Sequence, residues 1–266
     1  MDLKKLFNLE NKNVALIGGS GLIGSELVRQ IPYYGARIIV GTRNQTKSNE
    51  IINNTKFSDN VIIPESFYID ISNESSIKNF FNEIKEKFGK IDALINSAWP
   101  KTSDWHLKFE NIEHKSLYKN LCDHAGGYFL CCQAVSKIMK DQKSGVILNM
   151  GSIYGEVGPH FSIYEGTEMT CPSAYPLIKG GIHTFTKYLA AYLAPYNIRV
   201  NCISSGGIID RSHQDPNFIK EYIKQTPLGR MGEPSDILGP VIFMLSDASL
   251  YVTGQILFVD GGWTCW

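Results

Sequence analysis

Short apolar runs rich in valine and isoleucine alternate with longer stretches of helical periodicity along the chain. The runs at 14–17, 37–40, 66–69, 93–95, 145–149, 199–203 and 255–259 lack the alternation of a half-solvated strand. They predict strands buried on both faces, as in a parallel sheet between layers of helices. Between them, apolar spacing predicts helices at 25–33, 74–88, 117–140, 175–193, 218–225 and 235–246. The last starts at Pro234 and Ser235 followed by Asp236, residue types that helix N-termini prefer. No repeat, low-complexity tract or linker interrupts the alternation. The pattern therefore predicts one Rossmann-type, doubly wound α/β domain of about seven parallel strands over residues 1–266.

The first strand runs into a glycine turn, Gly18-Gly19-Ser20-Gly21-Leu22-Ile23-Gly24, and Ser25 opens the next helix. Strand, glycine turn and helix in that order place a pyrophosphate on a helix N-terminus, with glycines letting the backbone approach it. The same turn also suits a plain loop between packed elements. The second strand ends at Thr42-Arg43, where an NAD site usually presents a carboxylate to the ribose. A guanidinium there suits a 2′-phosphate, so NADP(H) is favoured over NAD(H); a solvated loop charge is the plainer alternative.

Tyr175 and Lys179 stand four residues apart on a predicted helix, hence on one face. An ammonium beside a phenol favours the phenolate and brings the tyrosine toward a working pH for acid–base chemistry. Alone, the pair is an ordinary amphipathic spacing; downstream of the glycine turn it points to hydride transfer.

Composition removes several alternatives. Lys plus Arg equals Asp plus Glu at 26 each, which gives no electrostatic case for nucleic acid or an anionic membrane. No apolar run approaches a membrane span, and the first residues show no apolar signal segment. Cys122, Cys131, Cys132, Cys171, Cys202 and Cys265 have no framework or metal-ligand spacing, so they read as free thiols in a reducing cytoplasm, and no metal is expected.

In order along the chain, these motifs resemble the short-chain dehydrogenase/reductase family. Asp70-Ile71 is similar to the family's adenine-binding Asp-Val. Asn96-Ser97-Ala98-Trp99 resembles its Asn-Asn-Ala-Gly, and Asn149-Met150-Gly151-Ser152 its Asn-x-Ser-Ser. Tyr175 to Lys179 matches Tyr-x-x-x-Lys. The segments 198–206, 227–234 and 252–262 resemble its C-terminal signatures. The resemblance implies catalytic Ser152, Tyr175 and Lys179, with Ser152 orienting a carbonyl and Lys179 holding the nicotinamide ribose and depressing the tyrosine pKa. It implies a cofactor held by Gly18, Ser20, Gly21, Leu22, Ile23, Gly24, Thr42, Arg43, Asp70, Ile71, Asn96, Ser97, Ala98, Tyr175, Lys179, Gly206 and Ile208. It also implies a homodimer or homotetramer built on the two long helices. Leu189, Tyr192 and Leu193 serve that interface or pack on the sheet.

The departures carry expectations of their own. Trp99 replaces a glycine and must lie near the cofactor or reshape its loop. Ser205 replaces a proline, and Asp210 stands where a cofactor-contacting threonine often sits. Ungapped alignment of the Tyr128–Ala134 stretch puts His124 at the family's proton-relay asparagine; Asn120 is the equivalent only if the helix is locally irregular. His124 then either relays protons or packs against the helix below.

An insert near 156–174 separates Ser152 from Tyr175, and its His160, Tyr164, Glu165, Thr167 and Glu168 suit a polyhydroxyl substrate unless they are solvated surface charges. With the tryptophan-rich C-terminus, it resembles a subgroup associated with bacterial surface-polysaccharide and flagellin glycan synthesis. A substrate loop is expected near 207–226, where Arg211, His213 and Gln214 contact substrate or solvent. The expected function is reduction of a polar, sugar-type carbonyl or oxidation of its alcohol. A 3-oxoacyl or other ketone reductase is one alternative, and a non-catalytic NADP(H)-sensing protein is another.

Overall fold

A computed structural model describes residues 3–266. The strands are β1 (Asn13–Ile17), β2 (Arg37–Thr42), β3 (Glu65–Tyr68), β4 (Ala93–Asn96), β5 (Gly145–Met150), β6 (Ile198–Ser205) and β7 (Ile256–Val259). They form one sheet in the order β3-β2-β1-β4-β5-β6-β7, every pair parallel. The helices are α1 (Leu3–Leu6), α2 (Leu22–Gln30), α3 (Gln45–Asn54), α4 (Glu74–Phe88), α5 (His114–Asn120), α6 (Gly127–Gln142), α7 (Ala174–Leu193), α8 (Pro216–Gln225) and α9 (Leu238–Leu245). Every residue of β1 and β4 is buried, because helices cover both faces. One face packs on Phe80, Phe81, Tyr128, Val135, Ile178 and Ile182 of α4, α6 and α7. The other packs on Leu27, Val28, Ile52, Val241 and Ile242 of α2, α3 and α9. Strand order reverses between β1 and β4, which opens the crevice where doubly wound sheets bind ligands.

Helix α4 shows why the pattern was readable. Ile77, Phe80, Phe81 and Ile84 make one buried stripe, Asn73 caps the start by accepting from the Ser76 N–H at 2.9 Å, and Gly89 at φ 78° ends it. Helix α3 was not expected. It buries only Ser48 and Ile52, so it carries no apolar stripe, and the cap of Asn44 on the Lys47 N–H starts it instead. The helix expected at 117–140 is interrupted. Between α5 and α6, residues Leu121–Gly126 widen into a π-helical turn. Beyond it the chain passes so close to the β3–α4 loop that a Cβ on Gly127 would lie 2.8 Å from the Ile71 side chain.

A third, smaller core joins the insert to the C-terminal half. Ile153, Ile163, Phe218, Tyr222, Met231 and Trp263 pack together, and the Trp263 ring stacks on Tyr222 at 4.1 Å. The insert backbone is pinned to α8 by Asn217 Nδ2 donating to the Glu165 carbonyl at 3.0 Å.

Candidate active site

At the carboxyl end of β1 the glycine turn is held closed by contact rather than by side chains. Gly18 has φ +95°, and a Cβ there would lie 2.6 Å from the Ala98 nitrogen. A Cβ on Gly24 would enter the Gly18 carbonyl. Helix α2 starts with Gly21 as N-cap and no side-chain cap, and its first internal bond is Ser25 N to Gly21 O at 2.8 Å. The N–H groups of Leu22, Ile23 and Gly24 are therefore open at a helix N-terminus, which fits an anionic pyrophosphate.

The rest of the crevice is built by strand ends. Buried Thr42 ties β2 to the turn, its Oγ1 lying 3.1 Å from Ser20 Oγ and accepting from the Asn44 N–H. Arg43 is exposed beside it. Asp70 opposes Arg43 and Lys119. Partial burial pushes its carboxyl up, but two hydrogen bonds from Ser72 and the two cations outweigh that and hold it below its ordinary value. Ser97 N donates to the Ile17 carbonyl at 2.9 Å, which fixes the β4 turn against the glycine turn. The Asn96 side chain, by contrast, points into the core and donates to Asn149 Oδ1 at 2.9 Å. Gly206 and Ile208 follow β6, where a Cβ on Gly206 would strike Asp260 and Ile208 bridges to Gly232.

Ser152 caps the turn after β5, and Tyr175 and Lys179 lie one turn apart at the start of α7. The sheet register brings the three together. Burial among aromatic rings pushes the Tyr175 phenol up to about 12, and a hydrogen bond from the Ser152 hydroxyl offsets only part of this. Buried Lys179 is pushed down to about 8 by the same cause and donates to the Met150 carbonyl at 2.7 Å. The depression of the tyrosine pKa by Lys179 that the resemblance implies is thus not the balance here. Desolvation outweighs it, and the ammonium is turned to a backbone oxygen 5.5 Å from the tyrosine ring centre.

Two tryptophans wall the tyrosine. Trp99, half exposed, lies 5.5 Å from the Tyr175 ring, and buried Trp105 lies 6.1 Å from it edge-on. Trp99 therefore reshapes the loop into an aromatic wall. Tyr154 and Tyr164 pack against the third core, with buried Cys171 close to Tyr154. The Tyr154 hydroxyl is buried with no well-aligned partner, and its pKa is driven up by burial.

The polar side chains expected near substrate sit in solvent or in local hydrogen bonds. Glu165 and Glu168 face solvent, Thr167 bonds within its own turn, and exposed His160 lies against Trp263. The insert turns Ile163, Tyr164, Met169 and Cys171 inward instead. Arg211 pairs with Glu233 at 3.0 Å, His213 with Asp210 at 2.9 Å, and Gln214 Nε2 donates to the Ile208 carbonyl. Asp210 accepts from Ser212 and holds its own loop.

The two relay candidates separate cleanly. Asn120 ties the 97–113 loop to α5, accepting from the Thr102 N–H at 3.1 Å and donating to Thr102 Oγ1 at 2.7 Å. His124 is fully buried beside Tyr128. Sequence reasoning missed Trp105, Tyr154 and His183. His183 follows Lys179 by one turn, and that spacing was the available signal. Its Nε2 lies 2.7 Å from Ser204 Oγ, and its Nδ1 3.9 Å from Glu156. Trp105 sits in a loop without periodicity and offered none.

A doubly wound parallel sheet with a glycine turn at its switch point and a Ser–Tyr–Lys group at the strand ends defines a class, the dinucleotide-dependent oxidoreductases. The family model described as enoyl-(acyl carrier protein) reductase matches residues 20–264. The post-translational flagellin modification protein A of Campylobacter coli is 35% identical over 260 residues, covering 96% of this chain and 99% of that protein. A short chain dehydrogenase from Leptospira borgpetersenii, solved with bound NAD+, is 39% identical with TM-score 0.85, covering 99% and 97%. A gluconate 5-dehydrogenase from Burkholderia cenocepacia, solved with NADP and tartrate, is 26% identical with TM-score 0.88 and full coverage of both chains. Other relatives are named as steroid, 3-oxoacyl-carrier-protein and galactitol dehydrogenases or reductases. The chain belongs to the short-chain dehydrogenase/reductase family and is a nicotinamide-dependent oxidoreductase.

Proposed function

We propose that the chain, acting as one domain, reduces the carbonyl of a polar, sugar-type substrate, or oxidises the corresponding alcohol, with Ser152, Tyr175 and Lys179 as catalytic residues. The observation that carries this is their convergence at the carboxyl edge of the parallel sheet, the edge that also carries the open N-terminus of α2. A bound nicotinamide supplies the hydride. Ser152 orients the carbonyl oxygen, Tyr175 gives it a proton, and Lys179 places a positive charge next to the phenol as that proton leaves. Burial that pushes the phenol up and the ammonium down keeps Tyr175 protonated at neutral pH, the state reduction requires.

The substrate class rests on the pocket wall and on the relatives. Half-exposed Trp99, backed by buried Trp105, offers a flat apolar face to a ring beside Tyr175. Relatives named for flagellin modification and gluconate oxidation point the same way. NADP(H) is favoured because the β2 end presents Thr42, Arg43 and Asn44 and no carboxylate, although the Leptospira neighbour holds NAD+. The six cysteines are free thiols, which suits the cytoplasm. A homodimer or homotetramer is supported by a ladder of stacked rings, Phe129, Phe185, Tyr188 and Tyr192, on the outer faces of α6 and α7, whereas Leu189 and Leu193 are spent on the sheet.

The test is oxidation of NADPH and NADH against free keto-sugars, nucleotide-linked keto-sugars and simple ketones. A keto-sugar turned over with NADPH is the expected result, with Arg43→Ala losing about tenfold in NADPH affinity and little in NADH affinity, as loss of a charge-assisted contact implies. Preference for simple apolar ketones would overturn the substrate class, and an unchanged cofactor ratio would overturn the role of Arg43.

A further inference from the structure

The turn that carries Ser152 packs against a buried histidine with no part in the chemistry above. His183 lies one turn beyond Lys179 on α7 and is 3% exposed. Its Nε2 is 2.7 Å from Ser204 Oγ on β6, and its ring meets Phe258 of β7 edge-on at 6.1 Å. Nδ1 is buried without a hydrogen-bond partner, and the Glu156 carboxylate is 3.9 Å away. The imidazole also fills the space against the two glycines that flank the turn. A Cβ on Gly151 would lie 2.8 Å from Nε2 and 2.6 Å from Cys202 Sγ, and one on Gly155 2.7 Å from Cε1. The serine that the Asn-x-Ser-Ser pattern has at 151 therefore has no room here. Hydroxyl, imidazole and carboxylate in this order resemble a hydrolytic triad, but Ser204 is buried to zero exposure and cannot attack a substrate. Burial foremost, with the charges of Lys179 and Lys187, outweighs Glu156 and holds the His183 pKa below its ordinary value. The ring is thus neutral at neutral pH, with one nitrogen to accept and one to donate.

We propose that His183 is a positioning residue for the catalytic serine: held by Ser204, it braces the Gly151–Gly155 turn so that the Ser152 hydroxyl stays aimed at Tyr175. This rests on the catalytic assignment of Ser152 and Tyr175 above. The Gly151 N–H donates to the Ile203 carbonyl at 2.7 Å, and the Gly155 N–H closes the turn on the Ser152 carbonyl at 2.9 Å. With glycine at both positions, the turn has no Cβ of its own to pack on β6 and α7, and the imidazole takes that place. The bond to Ser204 fixes the ring and satisfies a buried hydroxyl. Without it the hydroxyl is left unpaired and the ring is free to turn. Ser152 then loses its alignment with the phenol, and a shift of about 1 Å in a catalytic group can cost about a hundredfold in rate.

The experiment reads the Tyr175 side chain by NMR in the whole cofactor-free chain, with tyrosine carbon-13 labelled at Cζ. Tyr175→Phe assigns the signal, and Ser152→Ala should move it. His183→Leu, which keeps the volume but cannot bond Ser204, should move it the same way, at least about half as far. Ser204→Ala, a smaller change to the same bond, should do likewise. Neither shift should add to that of Ser152→Ala in the double variants, since both act through that serine. His183→Gln, which fills the space and can still bond Ser204, should leave the signal in its wild-type place. A wild-type signal in His183→Leu and Ser204→Ala overturns the inference, as do additive shifts or an equal shift in His183→Gln. A signal unmoved by Ser152→Ala overturns the Ser152–Tyr175 contact itself, and the inference with it. With NADPH and 2,3-butanedione as carbonyl probe, His183→Leu should lose about tenfold in kcat, keep KM within about twofold, and lose nothing more in the Ser152→Ala background. An equal loss in both backgrounds overturns the inference. Wild-type protein inert toward butanedione puts the proposed function in question for that probe, and the tyrosine signal still decides the role of His183.

Discussion

Lys179 shows how a reactive residue is held at a cost to the fold. Burial lowers its pKa from 10.5 to about 8. Between those values the unfolded chain keeps a proton that the folded protein has released, so this group makes stability rise with pH across that window. Below about 8 both states are protonated and the folded state carries the whole desolvation cost. Lys179→Met should therefore be more stable than wild type at pH 7, by about 2 kcal/mol after the lost bond to the Met150 carbonyl is counted, and the gain should fade towards pH 10.5. Denaturant titration at pH 7 and 10 checks this. A variant destabilised equally at both would mean the ammonium is a net stabiliser. At the same scale, Trp99 and Trp105 illustrate a limit of sequence reading. The first was flagged because it replaced a glycine, the second only appears once the loop folds back on Tyr175.

Among the elements, those specified by local pattern were legible. The seven strands were placed within a few residues, and α4 was placed from its uninterrupted apolar stripe. The exceptions have physical causes. Helix α3 is held by a cap and carries no stripe. The π-helical turn keeps helical spacing on both sides of one widened segment, so periodicity ran through it, and only the misplaced His124 hinted at irregularity. The insert reads as polar, yet it folds with its few apolar residues inward against α8 and Trp263. That third core should come apart without the sheet. Trp263→Ala should lose about 3 kcal/mol, as removal of a buried large aromatic does, and expose 156–174 to protease. NADPH binding should be unchanged, because the crevice between β1 and β4 belongs to the other cores. A matching loss of NADPH affinity would mean that the insert and the cofactor site are one unit.

For the whole molecule, the sheet order sets the site. β1 and β4 part at the switch point and open the cofactor crevice, while β5 and α7 bring Ser152, Tyr175 and Lys179 to its edge from positions far apart in sequence. The ordered motifs made that convergence readable in advance. The inward turn of Tyr164, Met169 and Cys171 was not, because long-range packing alone decides which insert side chains turn in. Substituting Tyr175→Phe and measuring both NADPH affinity and carbonyl turnover tests the central assignment most directly. The account predicts unchanged NADPH affinity within about twofold and a turnover loss of at least about a hundredfold, since only the proton donor is removed. Turnover retained in Tyr175→Phe would contradict it.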